Sequence, residues 1–307
     1  MRNIRVAAIV VDYKDSPHTL DCLDSLKKQK LTNIEVQVFL VLSQSSPERR
    51  KQLKREYPET EFIISDKNIG FTGSNNLALK KILEKNAFEY VLLLNNDTRI
   101  DKDAIKNFVK FAEGYGSPVV CSPKIYFEKN YEYHSNEYLP EEKGNVIWYA
   151  GGMFDKKNVY AWHRGVDEVD HGQFNNDEET QFATGCCMFV STKIVKKIKL
   201  FDNRYFLYLE DLDFSLRAKK EGFHIWYVPE AVVWHKNAGS TGGSGSLTHV
   251  YYQTRNRLLL ASKFSGIRTK AALYREMLQN MLKGKAMQKF AFFDFLLHKF
   301  GECRRTL

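Results

Sequence analysis

Short apolar runs alternate with amphipathic segments along the first third of the chain. The apolar runs predict strands at residues 4–11, 36–42, 61–64 and 90–94. The segments between them predict helices at residues 19–30, 47–57 and 74–84. Because continuous apolar strands alternate with helices, the pattern indicates an α/β fold with a mostly parallel, Rossmann-like sheet that helices cover on both faces. Ligands of such sheets bind at the carboxyl ends of the strands, so we expect functional residues directly after each strand.

The alternation becomes less regular after Pro123, where segments rich in Tyr, Asn and Gly predict loops and irregular strands. A helix is expected at residues 212–221 and a strand at residues 225–228. The glycine- and serine-rich stretch at residues 237–246 predicts a loop. Residues 247–301 are dense in Leu, Phe, Met and Lys and predict a helical tail.

Composition narrows the class of protein. The chain has 307 residues, 43% hydrophobic and 27% charged, which is ordinary for a globular protein that buries a sizeable core. The N-terminal apolar run is too short for a signal peptide and contains Asp12, and no run approaches the ~18 residues of a membrane span. The five cysteines lack a C-x-x-C spacing, which argues against zinc and disulfide frameworks and favours reduced cytosolic thiols.

The net charge of +9 is concentrated at one end of the chain. Residues 255–307 contain twelve Lys and Arg against three acidic residues, whereas the rest of the chain is balanced. Such an asymmetry predicts an anionic partner for the tail, for which anionic lipid, nucleic acid and a charged acceptor are all candidates.

Two amides and a carboxylate follow the predicted strand at residues 90–94. Asn95, Asn96 and Asp97 would therefore lie at the ligand edge of the sheet. A carboxylate in this position could hold Mg²⁺ or Mn²⁺, which neutralise a bound diphosphate. The same residue types are common in turns that cap helices, and the segment alone leaves both interpretations open.

A segment with two glycines connects a predicted strand to a predicted helix. Gly70 and Gly73 would let the backbone approach a ligand closely, and Asn68 and Asn76 offer amide contacts. A helix N-terminus at this place would also favour phosphate. In isolation, a plain strand–helix turn is the more common explanation of such a segment.

Three acidic residues lie close together among aromatic residues. Glu210, Asp211 and Asp213 repel one another unless a helix N-terminus or a cation relieves them. Burial among aromatic side chains would raise the pKa of one carboxyl group towards that of a useful base. His235 follows an apolar run and could ligate a metal, although a single histidine is more often structural.

Together these segments resemble family 2 of the inverting glycosyltransferases, which have the GT-A fold, and especially its rhamnosyltransferase-like branch. The resemblance covers about residues 5–260, and the motifs occur in the family's order. The matching segments are Val10-Val11-Asp12-Tyr13, Asn68-x-Gly70-Phe71-x-Gly73-x-Asn75-Asn76, Leu94-Asn95-Asn96-Asp97, Thr184-Gly185-Cys186-Cys187-Met188, Phe201-Asp202 through Asp213-Phe214, and Val233-Trp234-His235. The second of them is the most specific.

The resemblance implies a role for each matching residue. Asp97 and His235 would hold a divalent metal, Mg²⁺ or Mn²⁺, and Asp211 would be the catalytic base. The acceptor side would be formed by Glu210, Asp213, Thr184 and Gly185. The nucleotide-sugar pocket would be lined by Asp12, Tyr13, Ser43, Asn68, Gly70, Phe71, Gly73, Asn76, Asn95, Asn96 and Arg255. Many relatives carry Asp-Asn-x-Ser where this chain has Ser43-Gln44-Ser45-Ser46, so the nucleotide stays open.

By this resemblance the chain would be a metal-dependent inverting glycosyltransferase that uses a nucleotide-sugar donor and a saccharide or lipid-linked acceptor. We expect dTDP-L-rhamnose as the first choice of donor and a UDP-hexose as the second, in bacterial surface polysaccharide synthesis. A GT-A catalytic domain would span residues 1–246, with a donor half over about 1–122 and an acceptor half over about 123–246. The basic helical tail would span residues 247–307.

Two other functions stay open at this stage. A nucleotidyltransferase should carry a glycine-rich phosphate loop after the first strand, which residues 11–16 lack. A catalytically inactive carbohydrate- or nucleotide-binding module is less consistent with the joint presence of Asp97, Asp211 and His235.

The basic tail also has more than one interpretation. It could lie on the inner face of the cell membrane, where lipid-linked acceptors reside, so that the protein would be cytoplasmic and peripheral. It could instead pack on the core or form a homodimer interface. Nucleic acid is not expected, because no reading motif accompanies the charge. The loop at residues 237–246 would either close over bound donor or serve as a linker.

Overall fold

The structure, a computed structural model, describes residues 3–237 and 245–303. The loop expected to close over the donor therefore lies largely outside the described residues. The strands are β1 (Ile4–Tyr13), β2 (Ile34–Ser43), β3 (Glu61–Ser65), β4 (Tyr90–Asn95), β5 (Thr98–Ile100), β6 (Val119–Phe127), β7 (Ile147–Tyr149), β8 (Gly152–Asp155), β9 (Tyr160–His163), β10 (Glu178–Glu179), β11 (Cys187–Ser191) and β12 (His224–His235). The helices are α1 (Thr19–Lys27), α2 (Pro47–Glu56), α3 (Gly70–Lys85), α4 (Ala104–Tyr115), α5 (Thr192–Ile198), α6 (Glu210–Lys220), α7 (Leu247–Phe264), α8 (Ile267–Lys283) and α9 (Ala286–Leu296).

One large sheet forms the centre of the fold. Its strands pair in the order β10-β12-β6-β11-β4-β1-β2-β3, with β5 beside β12 and β7 beside β6. Strands β3, β2, β1 and β4 run parallel to one another, and β6 runs parallel to β12. β11 runs antiparallel to both β4 and β6 and joins the two parallel groups. The carboxyl ends of β1, β2, β4 and β12 consequently lie at the same edge of the sheet.

The two faces of the sheet are covered by different helices. Alternate residues of a strand point to opposite faces, so Ala8 and Val10 of β1 belong to one hydrophobic cluster and Ala7 and Ile9 to the other. The first cluster includes apolar residues of α1, α2, α4 and α7, and the second includes those of α3, α5 and α6. The expected α/β class with a covered and mostly parallel centre is confirmed.

Two proline-containing strands are longer than the sequence indicates. β6, which was not predicted, continues through Pro123, and β12 joins the expected strand at residues 225–228 through Pro229 to the strand-like apolar run at residues 231–234. The register between the two strands shifts between Val228 and Val232, and Pro123 lies opposite Val228. A proline cannot donate a ladder hydrogen bond and is tolerated at such a bulge. The bulge therefore lets β12 reach the ligand edge of the sheet at His235.

The tail forms three helices, and the first of them is part of the core. Residues 258–261 of α7 are buried within the main hydrophobic cluster. α9 packs along α7, where the hydroxyl of Tyr251 donates to a carboxyl oxygen of Asp294 at 2.8 Å. Within the described residues, no helix has the length and apolar character needed to cross a bilayer.

Candidate active site

Asp97 and His235 meet at the carboxyl edge of the sheet. β4 ends at Asn95, and after a two-residue turn β5 pairs with the end of β12, so that Thr98 lies opposite His235. This register brings Oδ1 of Asp97 within 3.2 Å of Nε2 of His235. The backbone N–H of Lys236 donates to the backbone oxygen of Asp97 at 2.9 Å and fixes the turn against the strand. Strand pairing thus joins two residues that are far apart in the sequence.

The chemistry of this pair fits a divalent cation. Carboxylate oxygen and imidazole nitrogen are both metal ligands, and a cation bound to a diphosphate commonly takes only one or two ligands from the protein. Within residues 3–237 and 245–303 no group of three or more His, Cys, Asp or Glu side chains is placed to hold a metal. Asp97 and His235 could therefore hold a cation whose remaining ligands are phosphate oxygens and water.

The ring of His235 is held by its surroundings. Trp148 packs edge-on against it with ring centroids 4.6 Å apart. The Nδ1 atom of His235 is buried and has no hydrogen-bond partner in the described part of the chain. Trp148 was not singled out in the sequence, because an isolated tryptophan in an irregular segment carries no distinguishing pattern.

Asp211 lies in the first turn of α6 and is fixed by backbone donors. The N–H of Gly185 donates to one carboxyl oxygen and the N–H of Leu212 to the other, each at 2.8 Å. Burial raises the pKa of Asp211, and these backbone hydrogen bonds act in the opposite direction. The carboxyl group is therefore held in one orientation, with a pKa above the usual value for aspartate.

Three of the motifs meet beside Asp211. Gly185 is so closely surrounded that a Cβ atom there would lie 3.1 Å from the ring of Phe71 and 3.5 Å from Cβ of Asp211. A Cβ atom at position 185 would crowd the ring of Phe71 and be in van der Waals contact with Asp211. Gly185 consequently allows the segment with Phe71 and the start of α6 to approach each other.

Asp97 and Asp211 both influence Cys186. Burial raises the pKa of the Cys186 thiol well above its usual value, and the charges of Asp97 and Asp211 both add to this effect. The backbone oxygen of Cys186 also accepts from the N–H of Asn95 at 2.9 Å. The Gly185-Cys186 segment therefore joins Asp211, through one backbone hydrogen bond, to the end of β4 that precedes Asp97, through another.

Glu210 differs from its neighbour Asp211. It is buried, and its Oε2 atom has no hydrogen-bond partner among the described residues. Burial, followed by the charge of Asp211, raises the pKa of Glu210 well above the usual value. This environment favours the protonated carboxylic acid, which can donate a hydrogen bond.

Asp213 faces the tail. Its carboxyl group is fully buried and accepts from Nε of Arg217 at 2.7 Å and from the hydroxyl of Tyr205 at 3.1 Å, and it is also paired with Lys263 of α7. With these partners Asp213 has no exposed surface for an acceptor, so we assign it a structural role in place of the expected acceptor contact. Lys263 was not predicted, because only the fold brings it to α6.

Asp12, Tyr13 and Ser43 lie at the ends of paired strands, with Tyr13 opposite Ser43. Asp12 is fully buried, and one of its carboxyl oxygens accepts from the Thr19 hydroxyl at 2.9 Å. The other accepts from Nε of Arg49 at 3.2 Å. The Asp12 carboxylate thus organises the loop after β1 in this structure, and Arg49 is a partner that the sequence did not indicate.

The segment at residues 68–76 begins α3. Oδ1 of Asn68 accepts from the N–H of Gly70 at 3.1 Å, and its Nδ2 lies 3.4 Å from the hydroxyl of Tyr13. Gly70 has a φ of +71°, and a Cβ atom there would lie 2.4 Å from the backbone oxygen of Phe206. A Cβ added at Gly73 would lie 2.9 Å from Cβ of Ile69. Both glycines are therefore required by close packing.

The remaining amides and Thr184 make local contacts. Nδ2 of Asn76 donates to the backbone oxygen of Phe201 at 2.9 Å, and its Oδ1 accepts from the N–H of the same residue at 3.0 Å. Nδ2 of Asn96 donates to the hydroxyl of Thr19 at 2.9 Å. The hydroxyl of Thr184 accepts from the N–H of Cys186 at 3.3 Å. These hydrogen bonds tie the motif segments to one another.

Arg255 is enclosed by the protein. It is fully buried, and its guanidinium donates to the backbone oxygens of Arg204, Tyr205 and Gly301 and to Oδ1 of Asn256, at 2.7–3.1 Å. No surface of the guanidinium is left for a donor phosphate. The structure therefore replaces the expected donor contact with a structural role at the start of α6.

Comparisons with known proteins agree on one family. A sequence model described as Glycosyltransferase like family 2 matches residues 4–257. Low-salt glycan biosynthesis hexosyltransferase Agl10 of Haloferax volcanii is 23% identical over 257 residues, covering 84% of this chain and 75% of the relative. The N-acetylglucosaminyl-diphospho-decaprenol L-rhamnosyltransferase of Mycobacterium tuberculosis is 23% identical over 265 residues, covering 84% of each chain.

Solved structures agree on the fold. GalNAc-T7, crystallised with UDP, GalNAc and Mn²⁺, superposes with a TM-score of 0.67 at 12% identity and covers 95% of this chain. The match spans about half (54%) of the GalNAc-T7 chain. TarS of S. aureus superposes with a TM-score of 0.55 at 15% identity, covering 95% of this chain and 79% of that one. The GT-A fold with additional C-terminal helices is thereby confirmed.

Proposed function

The chain belongs to the family 2-like glycosyltransferases, and on this premise we propose that it moves a sugar from a nucleotide-sugar donor to a saccharide or lipid-linked acceptor, with inversion and with a divalent metal. The observation that carries this proposal is the contact of Asp97 with His235 at the carboxyl edge of the sheet, together with the backbone hydrogen bonds by which Gly185 and Cys186 join Asp211 to the end of β4. Such a transfer requires atoms that coordinate a metal and a base that can reach the same bound substrates.

Asp97 and His235 would hold the cation through Oδ1 and Nε2. When bound there, Mg²⁺ or Mn²⁺ would supply positive charge to the departing nucleoside diphosphate. UDP and Mn²⁺ occur together in the GalNAc-T7 crystal, which supports the same combination for this chain. Tyr13, Ser43, Asn68, Phe71 and Asn95 are the residues that we propose for the donor side.

Asp211 would act as the base in a single displacement. The acceptor oxygen forms a bond to the anomeric carbon while the bond from that carbon to the diphosphate oxygen breaks, and the hydroxyl proton passes to the Asp211 carboxylate. The N–H groups of Gly185 and Leu212 orient that carboxylate, and its raised pKa makes it a stronger base than an exposed aspartate. Attack from the face opposite the diphosphate inverts the configuration.

The relatives favour particular substrates for this chain. The mycobacterial relative is named for L-rhamnose transfer to a lipid diphosphate and the haloarchaeal one for hexose transfer in glycan biosynthesis. We therefore propose dTDP-L-rhamnose as the first donor to test and a UDP-hexose as the second. A lipid-linked acceptor of a surface polysaccharide would bring the enzyme to the inner face of the membrane. The donor and acceptor halves would meet near residue 122.

Thermal unfolding with nucleotides tests the donor site. The purified chain is melted with dTDP, UDP and their sugars, each with Mn²⁺ and with EDTA. A nucleotide at 100 times its Kd stabilises a protein by about 2.7 kcal/mol, so we expect a metal-dependent rise in Tm for one nucleotide. Asp97→Asn should lose this rise, whereas Asp66→Asn, which changes a carboxylate exposed on the surface, should keep it. No metal-dependent rise with any nucleotide would contradict the assignment.

Transfer kinetics test the base. With the donor identified by melting, Asp211→Asn should lower kcat by about 10²- to 10⁴-fold, the usual contribution of a general base. The same variant should bind the nucleotide as well as the wild type does. If Asp211→Asn transferred sugar at the wild-type rate, Asp211 could not be the base.

A further inference from the structure

The side of α8 that faces solvent is apolar. Ile267, Ala271, Tyr274, Leu278 and Leu282 follow one another at intervals of three or four residues, so they form one stripe along the helix. Ile267 is 85% exposed, Leu278 59% and Leu282 83%. We call these five residues the α8 stripe.

Most of the α8 stripe lies away from the face that attaches the helix to the protein. α8 buries Leu273 and Met277 on another side, where both join the main hydrophobic cluster. Tyr274 of the stripe also packs against Phe292 and Phe295 of α9, with ring centroids 6.2 and 6.3 Å apart, whereas the leucines and Ile267 stay largely exposed. Contiguous exposed apolar surface of this kind often marks an interaction site.

Basic residues border the α8 stripe. Arg268, Arg275 and Lys283 are seven and eight residues apart and so lie along one side of it. Within residues 3–237 and 245–303, none of the three lies at ion-pair distance from an acidic side chain, whereas the nearby Glu276 is paired with Arg257 at 2.7 Å. The border of the stripe consequently carries uncompensated positive charge.

We propose that the α8 stripe docks on the surface of an anionic lipid bilayer. The helix would lie in the plane of the interface, with the leucines below the headgroups and the basic border against lipid phosphates. The excess positive charge in the last fifth of the chain is complementary to such a surface. A second copy fits less well, because a two-fold interface would bring the same positive borders together.

This docking goes beyond the proposed function, since it requires no transfer reaction. It rests on that function in one respect only, namely that docking would bring the active site to a lipid-linked acceptor. Binding to vesicles and transfer to a soluble acceptor can therefore be measured separately.

Co-sedimentation with vesicles tests the proposal. The whole chain is mixed with vesicles of phosphatidylcholine alone or of equal parts phosphatidylcholine and phosphatidylglycerol. We expect binding to the anionic vesicles, little binding to the neutral ones, and weaker binding as salt is raised. Absence of binding to the anionic vesicles would overturn the proposal.

Variants locate the surface. Leu278→Glu/Leu282→Glu and Arg268→Glu/Lys283→Glu should each bind the anionic vesicles about tenfold more weakly or worse. The control Lys51→Glu/Lys54→Glu makes the same charge change as the second variant on the exposed side of α2 and should bind nearly as the wild type does. Equal binding by the leucine variant and the wild type would overturn the assignment to α8.

Two further measurements separate other outcomes. If the leucine variant converts a dimer to a monomer while neither protein binds vesicles, the stripe is an interface between copies and the proposal is wrong. Transfer to a soluble acceptor should be unchanged in all the variants, which shows that they fold. Vesicle binding without transfer by any of the proteins would count against the proposed function and leave the docking surface supported.

Discussion

At the scale of single residues, Glu210 and Asp211 show how adjacent carboxyl groups acquire different properties. Burial raises the pKa of both, but two backbone N–H groups from other residues bind the Asp211 carboxylate, whereas an oxygen of Glu210 has no partner in the described part of the chain. The charge of Asp211 raises the pKa of Glu210 further. We infer that Asp211 ionises first and that Glu210 stays protonated beside it.

Replacing Glu210 with Gln should change how stability depends on pH. The folded-state pKa of Glu210 is raised, so the folded state binds the proton more tightly than the unfolded chain does, and stability falls as pH rises above the usual value of 4.5. The fall is about 1.4 kcal/mol for each pH unit until the folded-state pKa is reached. Glu210→Gln removes this dependence. The free energy of unfolding of the variant, relative to that of the wild type, should therefore increase between pH 5 and the folded-state pKa.

Denaturant unfolding of both proteins at several pH values measures the effect. The difference between variant and wild type should increase steadily with pH. A difference that stays constant from pH 5 to pH 8 would mean that Glu210 is ionised throughout, and the inferred order of ionisation would then be wrong.

At the scale of secondary structure, the start of α3 depends on one glycine. Gly70 combines a φ of +71° with a close approach to the backbone oxygen of Phe206, whereas Gly116 has a φ of +73° and nothing within 4 Å of an added Cβ. Gly116→Ala should therefore cost about 1–2 kcal/mol of stability through backbone strain alone. Gly70→Ala should cost about 1–3 kcal/mol more, because the backbone of Phe206 must move.

Equilibrium unfolding of the two glycine variants separates strain from contact. Gly70→Ala should also lower transfer activity, because Phe206 lies on the segment that leads into α6. If the two variants were equally stable, the contact between α3 and this segment would have no energetic importance.

The segment before α6 is held by α7. Phe206, Tyr208 and Leu209 have φ values of +66°, +68° and +68°, a conformation that costs non-glycine residues free energy. Nδ2 of Asn256 donates to the backbone oxygens of Tyr205, Leu207 and Tyr208 at 2.8–3.0 Å. We infer that these hydrogen bonds stabilise the unusual backbone and so position Asp211.

Asn256→Asp should be destabilising and should impair transfer. The change replaces a donor by a carboxylate that faces several carbonyl oxygens in a buried place, and we expect a loss of about 3 kcal/mol or more. Ser262→Ala, an exposed change on the same helix, should cost less than about 0.5 kcal/mol. An Asn256→Asp protein as stable and as active as the Ser262→Ala protein would exclude the positioning role of α7.

The sequence predicts some elements of this fold better than others. Strands and helices up to β4 follow from local periodicity, because each buries one continuous face, and their ends differ from the expected ones by a few residues. β11, at Cys187–Ser191, was not predicted as a strand, since its pairing between β4 and β6 is antiparallel and distant in the sequence. The strand expected at residues 225–228 ended too early for a related reason, because the bulge through which β12 continues past Pro229 depends on pairing with β6.

The candidate site was predictable to a similar extent. Asp97, His235 and Asp211 were singled out from motifs, and the fold brings Asp97 and His235 together, while their roles stay predictions. Burial and partners are not visible in a motif, so the enclosed positions of Asp213 and Arg255 could not be foreseen. Both residues have the charge expected of a ligand contact, and only the packing of α7 shows that their partners lie within the protein.

At the scale of the whole molecule, the boundary expected at residue 246 marks a change in composition, but the helix that follows it packs into the rest of the fold. α7 contributes residues 258–261 to the main hydrophobic cluster, and its Lys263 pairs with Asp202, which precedes α6, and with Asp213 of α6. Gly301, beyond α9, accepts a hydrogen bond from Arg255. The end of the tail therefore contacts the segment before α6 that positions Asp211. We infer that α7 and the sheet stabilise each other and unfold together.

Truncation tests where the cooperative unit ends. A chain that stops at residue 246 loses Lys263, one of the partners of Asp213, and Asn256, which supports the positive-φ segment, together with buried apolar surface. We therefore expect it to show no cooperative thermal transition. A chain that stops at residue 265 keeps α7 but loses the cover of α9, and it should unfold cooperatively at a lower temperature than the full chain. If the chain ending at residue 246 melted as the full chain does, α7 would be a separate appendage. The loss of stability expected for Asn256→Asp would then need another explanation, because α7 would not support the backbone before α6.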